Sequence, residues 1–119
     1  MKPITLSNYV RPSKRSLSVA VLKEQNQRFH GTGGCSQENS GEGFRPAFKD
    51  IGTGVIYLSC FADGRLAPLH LLDGLPAEVV IARDNTGHVT AVKDSVIAGF
   101  VRDGHFYTRA EAAAAVTRH

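Results

Sequence analysis

Tryptophan is absent from this sequence of 119 residues, and methionine and cysteine are scarce, with one and two copies. Two cysteines, Cys35 and Cys60, are too few for the disulfide framework of a small secreted domain, and we expect both to be free thiols. No apolar run reaches the roughly 18 residues that indicate a membrane-spanning helix. The basic start of the chain is not followed by an apolar segment, so no secretory signal is predicted. These absences favour a cytoplasmic protein that does not contact a membrane.

Sequence motifs for catalysis, metal binding and cofactor binding are missing as well. None of the five histidines stands at the spacing that zinc sites use, so no metal is expected. The glycine run at residues 31–34 is followed by Cys35 and Ser36, not by the lysine and hydroxyl residue of a phosphate-binding loop. The aspartates lie in or beside turns, where their side chains bind their own backbone. We therefore predict no catalytic residue, no metal site and no cofactor.

Positive charge is concentrated at the N-terminus. Residues 1–15 contain four basic residues and no acidic one, whereas the remaining residues have one more acidic than basic residue, so the formal charge of +3 comes from the N-terminus. We interpret residues 1–15 as a flexible basic arm that either contacts phosphates or only keeps the protein soluble. Residues 16–119 are predicted to form one α+β domain. The candidate nucleic-acid contacts in the arm and beside the glycine-rich loop are Lys2, Arg11, Lys14, Arg15, Arg28 and Arg45.

A glycine-rich segment with five glycines occupies residues 30–43. Ordering glycine costs much conformational entropy, so we predict a mobile and mostly exposed loop without regular structure. Long loops in small domains are either functional or connectors. A Cys35 thiol assisted by His30 is the catalytic interpretation, although no third group that orients them is evident. The candidate residues for partner binding are His30, Gly33, Gly34, Cys35, Glu38 and Asn39.

The remaining sequence is dominated by β patterns. Residues 17–22 alternate in a way that favours a strand, with a helix over 17–29 as the competing interpretation. Pro46 lacks an amide proton, so residues 44–49 are expected to form an edge strand. Residues 55–61 are apolar on both faces and β-branched at their start, which predicts a central strand.

Turn residues predict two hairpins. Asp84–Gly87 separates β-rich runs at 78–83 and 88–93, and Asp103-Gly104 is typical of a type I′ turn between two further strands. Together with the other β patterns, these hairpins predict an α+β fold. It consists of an antiparallel sheet of about five or six strands, with a C-terminal α-helix packed on one face.

The C-terminal helix is predicted from its first residues. Thr108 and Glu111 stand at the spacing of a capping box, in front of an alanine-rich stretch that favours helix. Alanine has little bulk, so the helix is expected to lie close to the sheet. Val116 and Phe106 are expected to supply its larger contacts.

Four stretches of the chain carry a resemblance: GFRPAF at 43–48, FADGR at 61–65, HLLDGLP at 70–76 and GFVRDGHFYTRAEA at 99–112. Through them the chain resembles a family of small proteobacterial proteins of uncharacterised function, carried by plasmids, integrative elements and phages. The resemblance loosely covers residues 30–116. It implies a mobile-element setting more than a chemistry, and it provides no catalytic residue to carry over.

Three functional hypotheses follow from the residues and the resemblance. The leading one is a non-enzymatic protein that acts on an unknown protein partner. Mobile-element cargo of this size often binds host proteins or DNA, so the resemblance implies inhibitors of host defence systems among its functions. The second hypothesis is a nucleic-acid-binding accessory protein that uses the basic arm. The third is a small enzyme that uses Cys35 and His30.

Overall fold

The computed structural model describes residues 16–117, so the predicted basic arm lies outside the described residues. The strands are β1 (Leu17–Ser18), β2 (Arg45–Asp50), β3 (Ile56–Leu58), β4 (Val80–Arg83), β5 (Val89–Val92), β6 (Val96–Arg102) and β7 (His105–Thr108). The helices are α1 (Val19–Arg28), α2 (Ser36–Asn39) and α3 (Arg109–Thr117), with 3₁₀ turns at Ser40–Glu42 and Ala77–Val79.

The seven strands of the described residues form two antiparallel sheets, whereas the sequence predicts a single sheet of about five or six strands. One sheet has the order β1, β5, β4, and the other has the order β3, β2, β6, β7. The predicted α+β class, the antiparallel pairing and the C-terminal helix are confirmed. A turn closed by Val96 N–H donating to the Lys93 carbonyl at 3.1 Å directs the consecutive strands β5 and β6 into different sheets. Side chains of both sheets, such as Phe48 and Val92, still share one buried cluster.

Helix α1 occupies residues for which the sequence favours a strand, so that prediction is wrong and the competing helix is right. Only Leu17 and Ser18 are extended, and they pair with β5. Ser18 begins the helix because its Oγ accepts a hydrogen bond from Val21 N–H at 3.1 Å. Leu22 is the residue of α1 that is fully buried, and it joins the cluster beneath both sheets.

Pro46 lies in a central strand, because β2 pairs with β3 on one side and with β6 on the other. The prediction of an edge strand is therefore wrong. Ser59 N–H donates to the Pro46 carbonyl at 2.9 Å, so the backbone groups of Pro46 face β3 and the ladder with β6 stays intact. Pro46 has no N–H to donate to the carbonyl of Ser59, which lies just beyond the end of β3. That carbonyl accepts a hydrogen bond from Ala67 N–H at 2.9 Å instead.

Strand β3 is a short edge strand, whereas the sequence predicts a central strand over residues 55–61. It pairs with β2, and within the described residues no strand pairs with its other side. Val55, Ile56 and Leu58 are exposed, at 45%, 41% and 38%. The apolar sequence here therefore forms an exposed surface and not a buried strand.

Both predicted hairpins are confirmed. β4 and β5 pair around a turn in which the Asp84 carboxylate accepts from Thr86 N–H at 2.9 Å. β6 and β7 pair around Asp103 and Gly104, whose φ values of 54° and 77° match a type I′ turn. Local turn chemistry is therefore sufficient to place these four strands in pairs.

The predicted capping box begins α3. Glu111 N–H donates to Thr108 Oγ1 at 3.1 Å, and Thr108 N–H donates to the Glu111 carboxylate at 2.9 Å. The helix packs on β6 and β7. Ala112 is fully buried there with Phe44 and Phe100, so the small alanine side chain does allow a close approach.

The larger contacts of α3 are only partly as expected. Val116 joins the cluster of Phe44 and Phe100, but the aromatic residue of β7 in that cluster is Tyr107, not Phe106. Successive strand residues point to opposite faces of a sheet, so Phe106 lies on the face away from α3, against Gly99.

The docking of α3 predicts unequal effects of the same substitution at two alanines. Ala112→Asp places an unpaired charge in the cluster of Phe44 and Phe100, and we expect it to lower the free energy of unfolding by about 3 kcal/mol. Ala114→Asp is the matched control, because residue 114 is exposed, and its effect should stay within about 0.5 kcal/mol. Urea denaturation of both variants tests the prediction. Equal midpoints would mean that α3 is not docked.

Candidate functional site

The glycine-rich segment is folded onto α3. Residues 36–42 form α2 and a 3₁₀ turn, so the prediction of no regular structure is wrong for them. A Cβ atom on Gly33 would collide with Val116, and a Cβ atom on Gly34 would lie 2.7 Å from the Arg109 carbonyl oxygen. Glycine is therefore required where the two backbones approach each other. Most of the segment is exposed, as expected, but four of its residues are buried: Gly33, Gly34, Cys35 and Asn39.

Arg109, the first residue of α3, carries a buried guanidinium that joins this segment to the rest of the fold. Only 4% of the residue is exposed. Its Nη1 donates to the Gly34 carbonyl at 2.9 Å, and its Nη2 donates to His70 Nδ1 at 3.2 Å. Burial lowers the pKa of Arg109, and Nε has no hydrogen-bond partner among the described residues. Within residues 16–117 no carboxylate pairs with it.

His70 accepts the bond from Arg109 while buried between aromatic rings. Its ring centroid lies 5.3 Å from that of Phe48 and 5.1 Å from that of Phe100. Because Nδ1 accepts, Nε2 carries the proton and donates to the Gly99 carbonyl at 2.7 Å. Burial, together with the charge of Arg109, lowers the pKa of His70 to about 4. The imidazole is therefore uncharged at neutral pH and acts as a structural acceptor.

An open groove of about 1220 Å³ lies on the outer side of the glycine-rich segment. One wall comes from α1 and from residues 35–40. The other wall comes from the end of β3 and residues 66–69. Three leucines of that second wall are exposed: Leu58 at 38%, Leu66 at 52% and Leu69 at 47%. The groove therefore presents aliphatic side chains that no described residue covers.

The charges that line the groove are of one sign. Lys23 of α1 and Arg45 of β2 are both lining residues. No aspartate or glutamate belongs to the lining among the described residues. An apolar surface with cations beside it attracts ligands that combine apolar and anionic groups.

The predicted loop and nucleic-acid candidates divide between the groove and other places. His30 and Cys35 both line the groove, yet no hydrogen bond joins them in the described part of the chain. Arg45 lines the groove too, whereas Arg28 does not. The charge of Arg28 is engaged by Glu24, whose carboxylate accepts from Arg28 Nε at 3.0 Å.

Two further candidates for partner binding, Glu38 and Asn39, instead make hydrogen bonds within the glycine-rich segment. The Glu38 carboxylate accepts from Gly31 N–H at 3.3 Å while remaining exposed. Asn39 is fully buried, and its Nδ2 donates to the Gly33 carbonyl at 2.6 Å. Asn39 therefore holds the chain in place and does not face a partner. The four candidates of the arm, Lys2, Arg11, Lys14 and Arg15, lie outside the described residues.

Sequence reasoning missed the leucines of the groove, Lys23 and the pair of His70 and Arg109. The leucines belong to apolar segments that are typical of a core, so nothing local marks them as exposed. Arg109 lies inside the capping box and draws no attention there. A histidine within the apolar residues 66–72 was the one available signal, since a polar residue in a buried segment needs a partner.

No family model matches the chain, and no curated protein or solved structure does either. No helix of the described part is long and apolar enough to cross a membrane. Across residues 16–117, no three His, Cys, Asp or Glu side chains gather as metal ligands would. The groove and the buried pair of Arg109 and His70 are therefore the features from which function is inferred.

The buried imidazole predicts a pH dependence of stability. The pKa of His70 falls from its ordinary 6.5 to about 4 on folding. At a pH between these two pKa values, His70 is protonated in the unfolded chain but not in the folded chain. The free energy of unfolding should therefore fall as the pH falls through this window, by on the order of 3 kcal/mol. His70→Gln keeps a donor and an acceptor but does not titrate, so its dependence should be flatter. Urea denaturation across this pH range tests both chains, and identical slopes would contradict the assignment.

The close approach of Gly34 to α3 predicts a second effect. Gly34→Ala places a methyl group against the Phe29 ring and the Arg109 carbonyl, and we expect a loss of about 2 kcal/mol in the free energy of unfolding. Gly41→Ala is the control, because a Cβ atom there meets no heavy atom within 4 Å. Thermal denaturation compares the two variants. Similar stabilities would mean that the segment does not pack on α3.

Proposed function

We propose that the protein is a non-enzymatic binding module whose groove holds an apolar and acidic segment of a partner protein. One observation carries the proposal. Leu58, Leu66 and Leu69 are exposed together along a groove whose lining also contains Lys23 and Arg45 but no carboxylate. Contiguous exposed apolar surface with polar residues around it is typical of protein-interaction sites.

The chemistry of the groove favours a protein partner over a nucleic acid. Binding of single-stranded nucleic acid relies on exposed aromatic rings on which bases stack. The exposed large apolar side chains of the groove are leucines, and Phe44 in its lining is 2% exposed, so the His30 imidazole is the exposed ring of the described lining. Binding of nucleic acid by the basic arm is a separate prediction, made from the sequence.

The catalytic interpretation has less support than binding. Cys35 is 6% exposed and His30 is exposed, and within the described residues no hydrogen bond connects the two side chains. A nucleophilic thiol needs a base within hydrogen-bond reach. A partner from a host defence system, as the resemblance implies, is compatible with a binding module but is not specified by the groove.

Selection from a display library of random peptides tests the proposed function. Peptides that bind the full chain should be enriched in aliphatic and acidic residues. Leu66→Asp should weaken their binding at least tenfold, because it puts a like charge and a polar group on the apolar wall. Lys23→Glu should weaken it about fivefold, and added salt should weaken the wild type, since both reduce the attraction of the acidic residues.

Val19→Asp is the matched control for these variants. Val19 is also an exposed apolar residue, at 55%, but it is not part of the groove lining, so its replacement should leave binding unchanged. Circular dichroism verifies that each variant is folded. If no peptide is enriched, or if the enriched peptides bind Leu66→Asp as tightly as the wild type, the groove is not a protein-binding site.

A further inference from the structure

The outer edge of β3 has backbone groups that face away from the sheet. Asp50 N–H donates to the Val55 carbonyl and Ser59 N–H donates to the Pro46 carbonyl, both at 2.9 Å. In an antiparallel pair the bonded residues alternate, so Tyr57 also faces β2. The amides and carbonyls of Ile56 and Leu58 therefore point outward. Among the described residues, the Cys60 thiol at 3.4 Å from the Leu58 oxygen is their one contact.

The other edges of the two sheets differ from this one. β1 has two residues, and β4 departs from regular pairing with register shifts on both sides of Ala82. β7 ends in the capping box, where Thr108 N–H already donates to the Glu111 carboxylate. A strand of only two residues, irregular pairing and an edge amide that is already bonded each disfavour association at a sheet edge. β3 is also short, with three residues, but it contains neither proline nor a charged residue, and it is regularly paired with β2. Among residues 16–117, nothing pairs with this edge, so it is open to another strand.

The side chains on this edge match the groove. Leu58 belongs both to β3 and to the lining of the groove, so a chain that pairs beside Leu58 reaches the groove. Residues opposite each other in an antiparallel pair share a face of the sheet, which places Lys49 beside Ile56. Arg45 precedes Lys49 by four residues in β2, so its side chain projects from the same face. The edge thus has the same combination of aliphatic and cationic side chains as the groove.

The positive charges near this edge determine which kind of segment is able to pair with β3. The arm at residues 1–15 is basic and has no acidic residue, so it is repelled by Lys23, Arg45 and Lys49. A second copy of the chain would bring the same cations against each other. An extended segment of another protein with alternating aliphatic and acidic residues is complementary to both features.

We propose that the partner binds by strand addition: an extended segment with alternating aliphatic and acidic residues pairs with β3 and continues into the groove. The proposal rests on the proposed function of the groove and specifies how the partner is held. Backbone bonds to Ile56 and Leu58 fix the segment in register. The leucines of the groove and its cations then select the side chains.

Amide hydrogen exchange on the full chain tests strand addition directly. The probe is a synthetic peptide of alternating glutamate and valine, and its lysine–valine counterpart is the charge control. We expect the glutamate peptide at saturation to slow exchange of the Ile56 and Leu58 amides at least tenfold. The lysine peptide should not bind.

A substitution at the edge gives an independent measurement. Ile56→Pro removes an outward N–H that the ladder with β2 does not use, and proline is tolerated on edge strands. Binding of the glutamate peptide should weaken about tenfold, whereas Ile56→Val, which keeps the N–H, should bind as the wild type does. The exchange measurement on the wild type decides the matter if Ile56→Pro does not fold.

The outcomes separate the binding mode from the function of the groove. If display-selected peptides bind the groove but the two amides exchange at the same rate, strand addition is wrong and the binding function stands. If neither the selected peptides nor the glutamate peptide bind, both proposals fail. Protection of the two amides in the free monomer would assign the edge to the arm. Protection that grows with protein concentration would assign it to a second copy, and either result overturns the proposal.

Discussion

The guanidinium of Arg109 is the point at which three distant parts of the chain meet. It donates to the carbonyl of Gly34 and to the ring of His70, and it begins the helix that packs on β6 and β7. Each of these contacts lies in the interior, where a hydrogen bond is stronger and an unpaired donor is costly. Loss of the guanidinium would leave two buried acceptors without partners. The glycine-rich segment, the helix and residues 66–72 therefore depend on one side chain for their mutual positions.

This arrangement is unusual because the buried cation is not neutralised by a carboxylate within the described residues. Its charge also lies at the first residue of a helix, where the helix dipole is unfavourable to a cation. The compensation comes from carbonyl and imidazole acceptors and from the Phe100 ring, whose centroid lies 5.8 Å from the guanidinium carbon. The imidazole of His70 can accept a hydrogen bond from Arg109 only while it is neutral, and its enclosure by aromatic rings keeps it neutral.

The same contacts create the surface proposed for binding. Because Arg109 and Asn39 hold the glycine-rich segment against α3, the outer side of that segment becomes a fixed wall of the groove. The opposite wall is fixed by Ser59, whose carbonyl accepts from Ala67 N–H and whose hydroxyl donates to the Leu69 carbonyl. Both walls are thus positioned by buried polar contacts. The groove and the adjoining edge of β3 form one continuous surface of aliphatic and cationic side chains.

The sequence by itself determined the features that depend on residues close to each other in the chain. The turns at Asp84 and Asp103 and the capping box of Thr108 need only neighbouring residues, and the predictions made from them agree with the structure. Exposure and strand order depend on contacts between distant residues. Pro46 is tolerated in a central strand because the side of its missing amide faces β3 and not β6. Leu58 is exposed because no described strand lies beyond β3. Only the tertiary structure decided these, because burial is a property of the assembled sheets and not of an apolar segment.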